Sequence, residues 1–361
     1  MQGINRYIFA QVLVATVAVT VGLTFAVWLT QSLRLIDFIV NRGLPATTFL
    51  YFIGLLLPSF IGIVLPIAAF CAVVFVYNKL IWDSEMVVLR AAGLSQLQLS
   101  RPALRLGFIV VLVSYSISLY FLPASFRAFK DLQYELRSDF STVLLQEGAF
   151  NTVTDGITVY VRERAGEGEL RGILVYDTRD PKAPVTMMAE RGALVQAEDG
   201  PRVVMVNGNR QQRDTSDGRI SFLHFDRYTV ELSKLREAPE TRWREPKERF
   251  LPELLTVGAN PGDKAYRNEL LAEAHQRIVQ PLYGLAFVLV GLAALLSGQF
   301  NRRGQSHRVM LAILIVAVLE AQTLALHDLA VRSRQAAPLM YVGAILPIIG
   351  ALYVLVRGPR R

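Results

Sequence analysis

Five windows of this sequence contain no Asp, Glu, Lys or Arg: residues 7–33, 43–78, 106–126, 278–301 and 335–356. Crossing about 30 Å of hydrocarbon as a helix takes roughly 20 residues, and each window is long enough. In lipid such stretches are held to the helix, because every backbone N–H and C=O must be paired within the segment. A sixth stretch, 309–331, is apolar but carries Glu320, His327 and Asp328. The sequence therefore predicts six spans, near 8–30, 50–77, 105–123, 278–299, 308–328 and 338–356. The first is too long for a signal peptide's apolar region of about 7–15 residues, and no small-residue cleavage site follows it.

The net charge is +8, and its location decides its meaning. One set of short loops and termini holds Arg6, Lys79, Arg90, Arg101, Arg105, Arg302, Arg303, Arg308, Arg357, Arg360 and Arg361. The opposite short loops hold only Arg34, Arg42, Arg332 and Arg334. The excess of Lys and Arg marks the cytoplasmic side, so both termini are expected there and the long segment 127–277 outside. That segment has 23 Lys and Arg against 25 Asp and Glu, so it is nearly neutral. The positive charge is topological and gives no reason for a nucleic-acid partner. The single cysteine, Cys71, excludes a disulfide framework and a cysteine-based metal site, and reads as a small packing residue of the second span. Pro58 and Pro66 are expected to kink that span, and Gly291 and Gly298 are weak candidates for close helix packing.

Segment 127–277 has a different character. Ile157, Val159 and Val161 alternate with Thr158, Tyr160 and Arg162, the period of a half-buried strand. Further strand runs are Gly172–Tyr176, Val185–Ala189, Ala193–Gln196, Arg202–Val206, Ile220–Phe225 and Tyr228–Leu232. Turn pairs separate runs at Asp155-Gly156, Asp180-Pro181, Asp199-Gly200, Asn207-Gly208 and Asp217-Gly218. Short strands at this spacing predict a sandwich or jelly roll. Arg236–Arg249 reads as an extended charged stretch. Ala128–Arg137 and Lys264–Arg277 read as helical continuations of the third and fourth spans, the latter with Glu269, Glu273 and Arg277 at i, i+4 spacing.

No GxxxxGK[ST], HExxH or GxSxG motif is present, and the four histidines are scattered. If the protein does work across a membrane, the energy comes from elsewhere. The loop after the second span, Lys79–Ser95, carries the most information. Asp83 or Ser84 is expected to cap a helix of about ten residues that Gly93 ends in the left-handed conformation. A helix too short to span, held at the membrane face, can dock into a groove of a soluble partner, with Glu85 toward a cation there. The competing reading is a solvated surface helix.

The run Asp83-Ser-Glu-Met-Val-Val-Leu-Arg-Ala-Ala-Gly-Leu-Ser95 resembles the coupling segment of the LptF/LptG family, the permeases of lipopolysaccharide-export ABC transporters. Asp37–Pro45 resembles the LptF branch, Glu273–Pro281 the start of the family's fourth span, and Asn301–Arg308 its fourth-to-fifth loop. The resemblance implies an α+β membrane protein: six transmembrane helices with a periplasmic β-jellyroll domain inserted between helices 3 and 4. The expected parts are 1–126 with the coupling helix near 80–95, 127–277 as the periplasmic domain, and 278–361. It also implies an inner-membrane location in a Gram-negative bacterium, and a non-catalytic subunit without a cofactor of its own. The implied partners are an LptB-type ATPase dimer binding ATP and Mg, an LptG-type permease, an LptC-type bridge protein and lipopolysaccharide itself. The coupling residues become Glu85, Asp83, Ser84, Arg90 and Gly93.

Arg34 matches a family phosphate contact at the outer end of the first span, and Arg42 lies nearby. A guanidinium offers charge-assisted hydrogen bonds to a lipid phosphate, although interfacial anchoring is the plainer role. A Lys found in some members falls near Gln31 here. Glu320 lies twelve residues past Arg308, about 18 Å along a helix and near mid-membrane. A carboxylate at that depth normally faces a cavity or a partner. Two other classes remain open: a signalling protein whose external domain senses a ligand, and a membrane enzyme, disfavoured because 127–277 shows no nucleophile–base pattern.

Overall fold

The computed structural model describes residues 2–35, 46–140, 147–154, 156–165, 169–180, 183–197, 200–213, 219–231, 243–256, 258, 260–297 and 305–357. The chain divides into two compact units, Met1–Lys130 with Trp243–Arg361, and Asp131–Arg242. Its helices are α1 (Gln2–Leu35), α2 (Ala46–Gly54), α3 (Leu57–Trp82), α4 (Glu85–Ala91), α5 (Gln96–Ser116), α6 (Leu122–Phe140), α7 (Leu251–Leu255), α8 (Pro261–Ala265), α9 (Arg267–Leu296), α10 (Gln305–Arg332) and α11 (Ala337–Arg357). The strands are β1 (Phe150–Thr154), β2 (Ile157–Ala165), β3 (Glu169–Asp177), β4 (Val185–Ala197), β5 (Gly200–Arg213) and β6 (Ile220–Glu231). The sheet unit is shorter than the 127–277 segment expected outside, because Trp243–Arg277 packs with the helices.

Among the described residues six helices are long and apolar enough to cross a membrane: Gly3–Leu33, Leu57–Trp82, Gln96–Tyr134, Arg267–Leu296, Ser306–Arg332 and Arg334–Arg357. The second span differs from its expected bounds. Residues 46–54 form the separate helix α2, closed by Leu55 N–H to Tyr51 O at 3.1 Å, and Phe52 stacks on Phe129 with ring centroids 4.3 Å apart. Pro58 therefore does not kink a long helix. It sits in the first turn of α3, where its missing N–H has no partner to lose. Pro66 does lie inside α3. A π-helical turn, Ile117–Phe121, joins α5 to α6 just ahead of Pro123, which cannot donate to the carbonyl four residues back.

Helix α9 is the axis of this unit and the most covered span, packing against α3, α5, α10 and α11. Small residues allow the close approach: a Cβ on Gly284 would meet Val110 Cγ1 at 2.9 Å, and one on Gly291 would meet Phe70 at 3.3 Å. Gly298 lies outside the described residues. Helices α1 and α10 are the least covered. Cys71 is on the exposed face of α3 rather than packed inside, since the buried stripe runs through Ala68, Ala69, Ala72, Val73 and Val76.

The strands form one antiparallel sheet in the order β1-β2-β3-β4-β5-β6, each paired with its sequence neighbour. β4, β5 and β6 are longer than the sequence runs suggested. Val185–Ala189 and Ala193–Gln196 are one strand, as are Ile220–Phe225 and the Tyr228–Glu231 part of the last run. Asn207-Gly208 is not a turn but lies within β5. A transverse crease explains this. The ladder skips one row, the positions of Arg162, Gly172, Glu190, Asn207 and Asp226, while the pairs on either side stay in register. On that row Gly172 and Asn207 are left-handed, with φ of 62° and 53°. The inward positions step by three across it, from Leu170 to Ile173 and from Ala189 to Gly192, instead of the usual two. Side chains from both sides of the crease thus enter one core: Ile157, Val159, Val161, Ile173 and Val175 from one half, Leu170, Val203, Met205 and Val230 from the other.

Candidate functional site

Three places among the described residues of the helical unit bring charged and polar side chains onto one another or onto main-chain carbonyls. The first is the loop around α4. Helix α3 closes with Asp83 N–H to Lys79 O at 2.9 Å, and Ser84 turns left-handed at φ 60°. The expected side-chain cap is absent, because an N-cap hydroxyl needs extended backbone and Ser84 does not have it. The helix is also shorter than expected, spanning Glu85–Ala91. Its other end is as expected: Gly93 at φ 83° closes it, with Gly93 N–H to Arg90 O at 2.9 Å and Leu94 N–H to Leu89 O at 3.2 Å. Ser95 and Gln98 then form a reciprocal capping box that starts α5.

This chemistry gives α4 two faces. Met86 is fully buried and Leu89 packs on the core, whereas Val87 and Val88 are 43% and 67% exposed. Asp83 and Ser84 are exposed and Glu85 is half-buried. Arg90 does not point outward. Its Nη2 donates to Leu296 O at 2.8 Å, and Gln96 Nε2 donates to the same carbonyl at 2.9 Å. That carbonyl ends α9 and has no partner within the helix, so the cation and amide satisfy it. Desolvation at this site pushes the Arg90 pKa below its ordinary value.

The second place is inside the spans. Glu320 is half-buried on α10, and Thr323, one turn on, is buried with its hydroxyl donating to Leu319 O at 2.9 Å. A Cβ on Gly343 of α11 would meet Gln322 Nε2 at 2.5 Å and the Tyr283 hydroxyl at 3.1 Å. His275 Nδ1 and Tyr341 Oη are 2.9 Å apart across α9 and α11. A polar seam of Tyr283, Gln322, His275 and Tyr341 therefore joins α9, α10 and α11.

The third place went unread in the sequence beyond the Glu273–Arg277 spacing. Arg277 is 2% exposed on α9. Its Nε donates to Glu273 Oε1 at 2.9 Å, its Nη2 to Pro246 O at 3.0 Å and Lys247 O at 3.1 Å, and its Nη1 to Arg249 O. Arg249 in turn donates to Asp263 Oδ1 at 2.6 Å, an oxygen that also accepts Trp243 Nε1–H at 2.9 Å. The Arg249 guanidinium, and after it the indole N–H, hold the Asp263 carboxyl below the usual carboxylate range. On the other flank Arg127 binds Glu253 at 2.9 Å and Glu248 O at 3.1 Å, and Lys130 binds Glu245 at 2.6 Å. Segment 243–266 is thus stapled to both α6 and α9, where the chain leaves and re-enters the helical unit. A cluster of charged residues in sequence was the available signal, but their partners are backbone carbonyls that no spacing rule marks.

Arg34 lies in the last turn of α1, its side chain outside the described residues, as is all of Arg42. Among the described residues no three His, Cys, Asp or Glu side chains gather as a metal site.

An uncharacterized protein of Rickettsia prowazekii (strain Madrid E) is 28% identical over 355 residues, 98% of each chain. The lipopolysaccharide export system permease protein LptF of Escherichia coli (strain K12) is 26% identical over 207 residues, and that of Shigella flexneri matches equally. These two matches span 56% of this chain and 56% of each relative, a little over half their length. The family model described as lipopolysaccharide export system permease LptF/LptG matches residues 6–357, through the helices and the sheet alike, and the chain belongs to that family.

Proposed function

We propose that the chain is the LptF-type permease half of an ABC exporter that lifts lipopolysaccharide out of the outer leaflet of the inner membrane. The observation that carries the reading is the family match across both units. In this reading an LptG-type permease completes an apolar cavity, with the sparsely covered α1 and α10 as the faces it meets. Two LptB-type subunits bind ATP and Mg and supply the energy, and this chain catalyses nothing. The termini and α4 are cytoplasmic. The creased sheet is a jelly-roll-type periplasmic module between the third and fourth spans, passing lipid toward an LptC-type bridge. Arg34 and Arg42 meet lipid phosphates.

The internal bonding supports a mechanical role for α9. Force on α4 reaches the Leu296 carbonyl through Arg90 and Gln96, and Arg277 fixes the far end of the same helix to segment 243–266. The two attachments are nineteen residues apart, about 28 Å of stiff helix. Movement of the ATPase would so be felt where the chain enters and leaves its sheet unit. Gentle purification of the tagged protein is the test. Recovery with an ABC ATPase, a second six-span permease and bound lipopolysaccharide supports the reading. Recovery of a folded chain without any of the three refutes it.

A further inference from the structure

A cleft between α1 and α5, with a cavity volume of about 640 Å³, gathers Arg6, Arg101 and Arg105. None of the three makes a hydrogen bond or ion pair with another described residue, unlike Arg90 nearby. Among the described residues no carboxylate lines the cleft. The remaining walls are Phe9, Leu104, Phe108 and Ile109, with Phe108 61% and Ile109 40% exposed. Helical spacing sets the order: Arg101 and Arg105 share one face of α5, and Phe108 and Ile109 follow one turn further into the apolar span. Charge is at the mouth and hydrocarbon is at depth.

We propose that this cleft is a binding site for an anionic phospholipid of the leaflet that surrounds this end of the protein. Three exposed cations line one cleft with no counter-ion among the described residues, so the chemistry it suits is anionic. Guanidinium groups match phosphate oxygens in paired hydrogen bonds, and basic pockets between spans suit phospholipid headgroups. The aromatic and aliphatic walls select an anion that carries acyl chains over a free one. The cargo proposed above is not the ligand, because Arg6 and Arg34 are at opposite ends of α1, about 42 Å apart along the helix. The lipid fills the space between α1 and α5, beside the packing of α1 on α3.

The test uses the full chain, with its partners where they co-purify, in nanodiscs of phosphatidylcholine with or without phosphatidylglycerol. Native mass spectrometry counts the anionic lipid retained on release. Arg101→Gln with Arg105→Gln should retain it about 30-fold less well, the effect of roughly two lost cations. Arg101→Lys with Arg105→Lys should keep most of it, which separates lost charge from a damaged fold. Arg332→Gln, at the opposite end, should change nothing in retention. Phosphatidylglycerol should raise the melting temperature of the wild type and not of the Gln pair. Equal retention by the Gln pair overturns the proposal, and so does equal protection by millimolar inorganic phosphate, which would show a plain anion site.

Discussion

Arg277 brings a full positive charge to a place 2% exposed, and its tolerance rests on Glu273 and three backbone carbonyls that accept from it. Removing one partner of such a buried set is costly, because the others remain desolvated. Arg277→Met should destabilise the helical unit by about 3–5 kcal/mol and open segment 243–266 to protease, while the six spans persist. An unchanged melting curve and digestion pattern would refute the staple. Asp263 gives the same segment a pH dependence. Its folded pKa lies below the unfolded one near about 3.9, so its contribution is present above that value and fades as pH falls through the folded value. Trp243 fluorescence should report release only in strong acid, and Asp263→Asn should weaken docking at neutral pH and flatten the profile. Glu320 is the third such residue. Its half-buried place within an apolar span predicts that Glu320→Leu lowers export or co-purification of the second permease, while Glu320→Gln is milder. If the Leu variant equals wild type in both measurements, the mid-span carboxylate has no role.

Among the elements, α4 separates structure from contact most cleanly. Met86 and Arg90 hold it to the unit, and Val87 and Val88 face away. Val88→Asp and Glu85→Ala should reduce association with the ATPase in pull-downs without lowering the permease's melting temperature. Met86→Asp should lower that temperature, since it puts a charge into a fully buried position. If Val88→Asp and Glu85→Ala both bind and export normally, α4 is only a surface helix. The crease in the sheet is the corresponding device of the other unit. It depends on Gly172, where a Cβ would meet Arg162 Nε at 2.7 Å in a left-handed backbone.

At the scale of the molecule, the alternation of spans puts Arg6 with Arg101 and Arg105, and Leu296 with Arg90 and Gln96, all at one end. His275 and Tyr341 meet toward the other. The asymmetry of Lys and Arg between the two sets of short loops predicts that the sheet unit is periplasmic. On a Cys71→Ala background, an impermeant thiol reagent should label Ser221→Cys in intact spheroplasts. Labelling only after lysis would invert the topology and remove the export reading with it.

The spans were legible because a membrane decides them locally: an uncharged stretch of sufficient length in lipid has one way to pair its backbone. Gly93 was legible for a similar reason, since one residue without a Cβ ends one helix. The sheet was legible only in part. Alternation marked Ile157, Val159 and Val161, yet β4 and β6 were read as broken and Asn207-Gly208 as a turn, because the phase slip at Gly172, Glu190, Asn207 and Asp226 exists only once neighbouring strands are in register. Of the candidate site, the sequence marked the α4 loop and Glu320, but neither the inward turn of Arg90 onto Leu296 nor the staple made by Arg277. Those bonds join residues about 200 and 30 positions apart, and their acceptors are main-chain carbonyls, present at every position. The sequence determined which segments enter lipid and which alternate as strands, because those choices depend on each segment's own side chains. Tertiary structure decided which carbonyls each cation meets and where the sheet folds, because both require distant parts of the chain to be in place together.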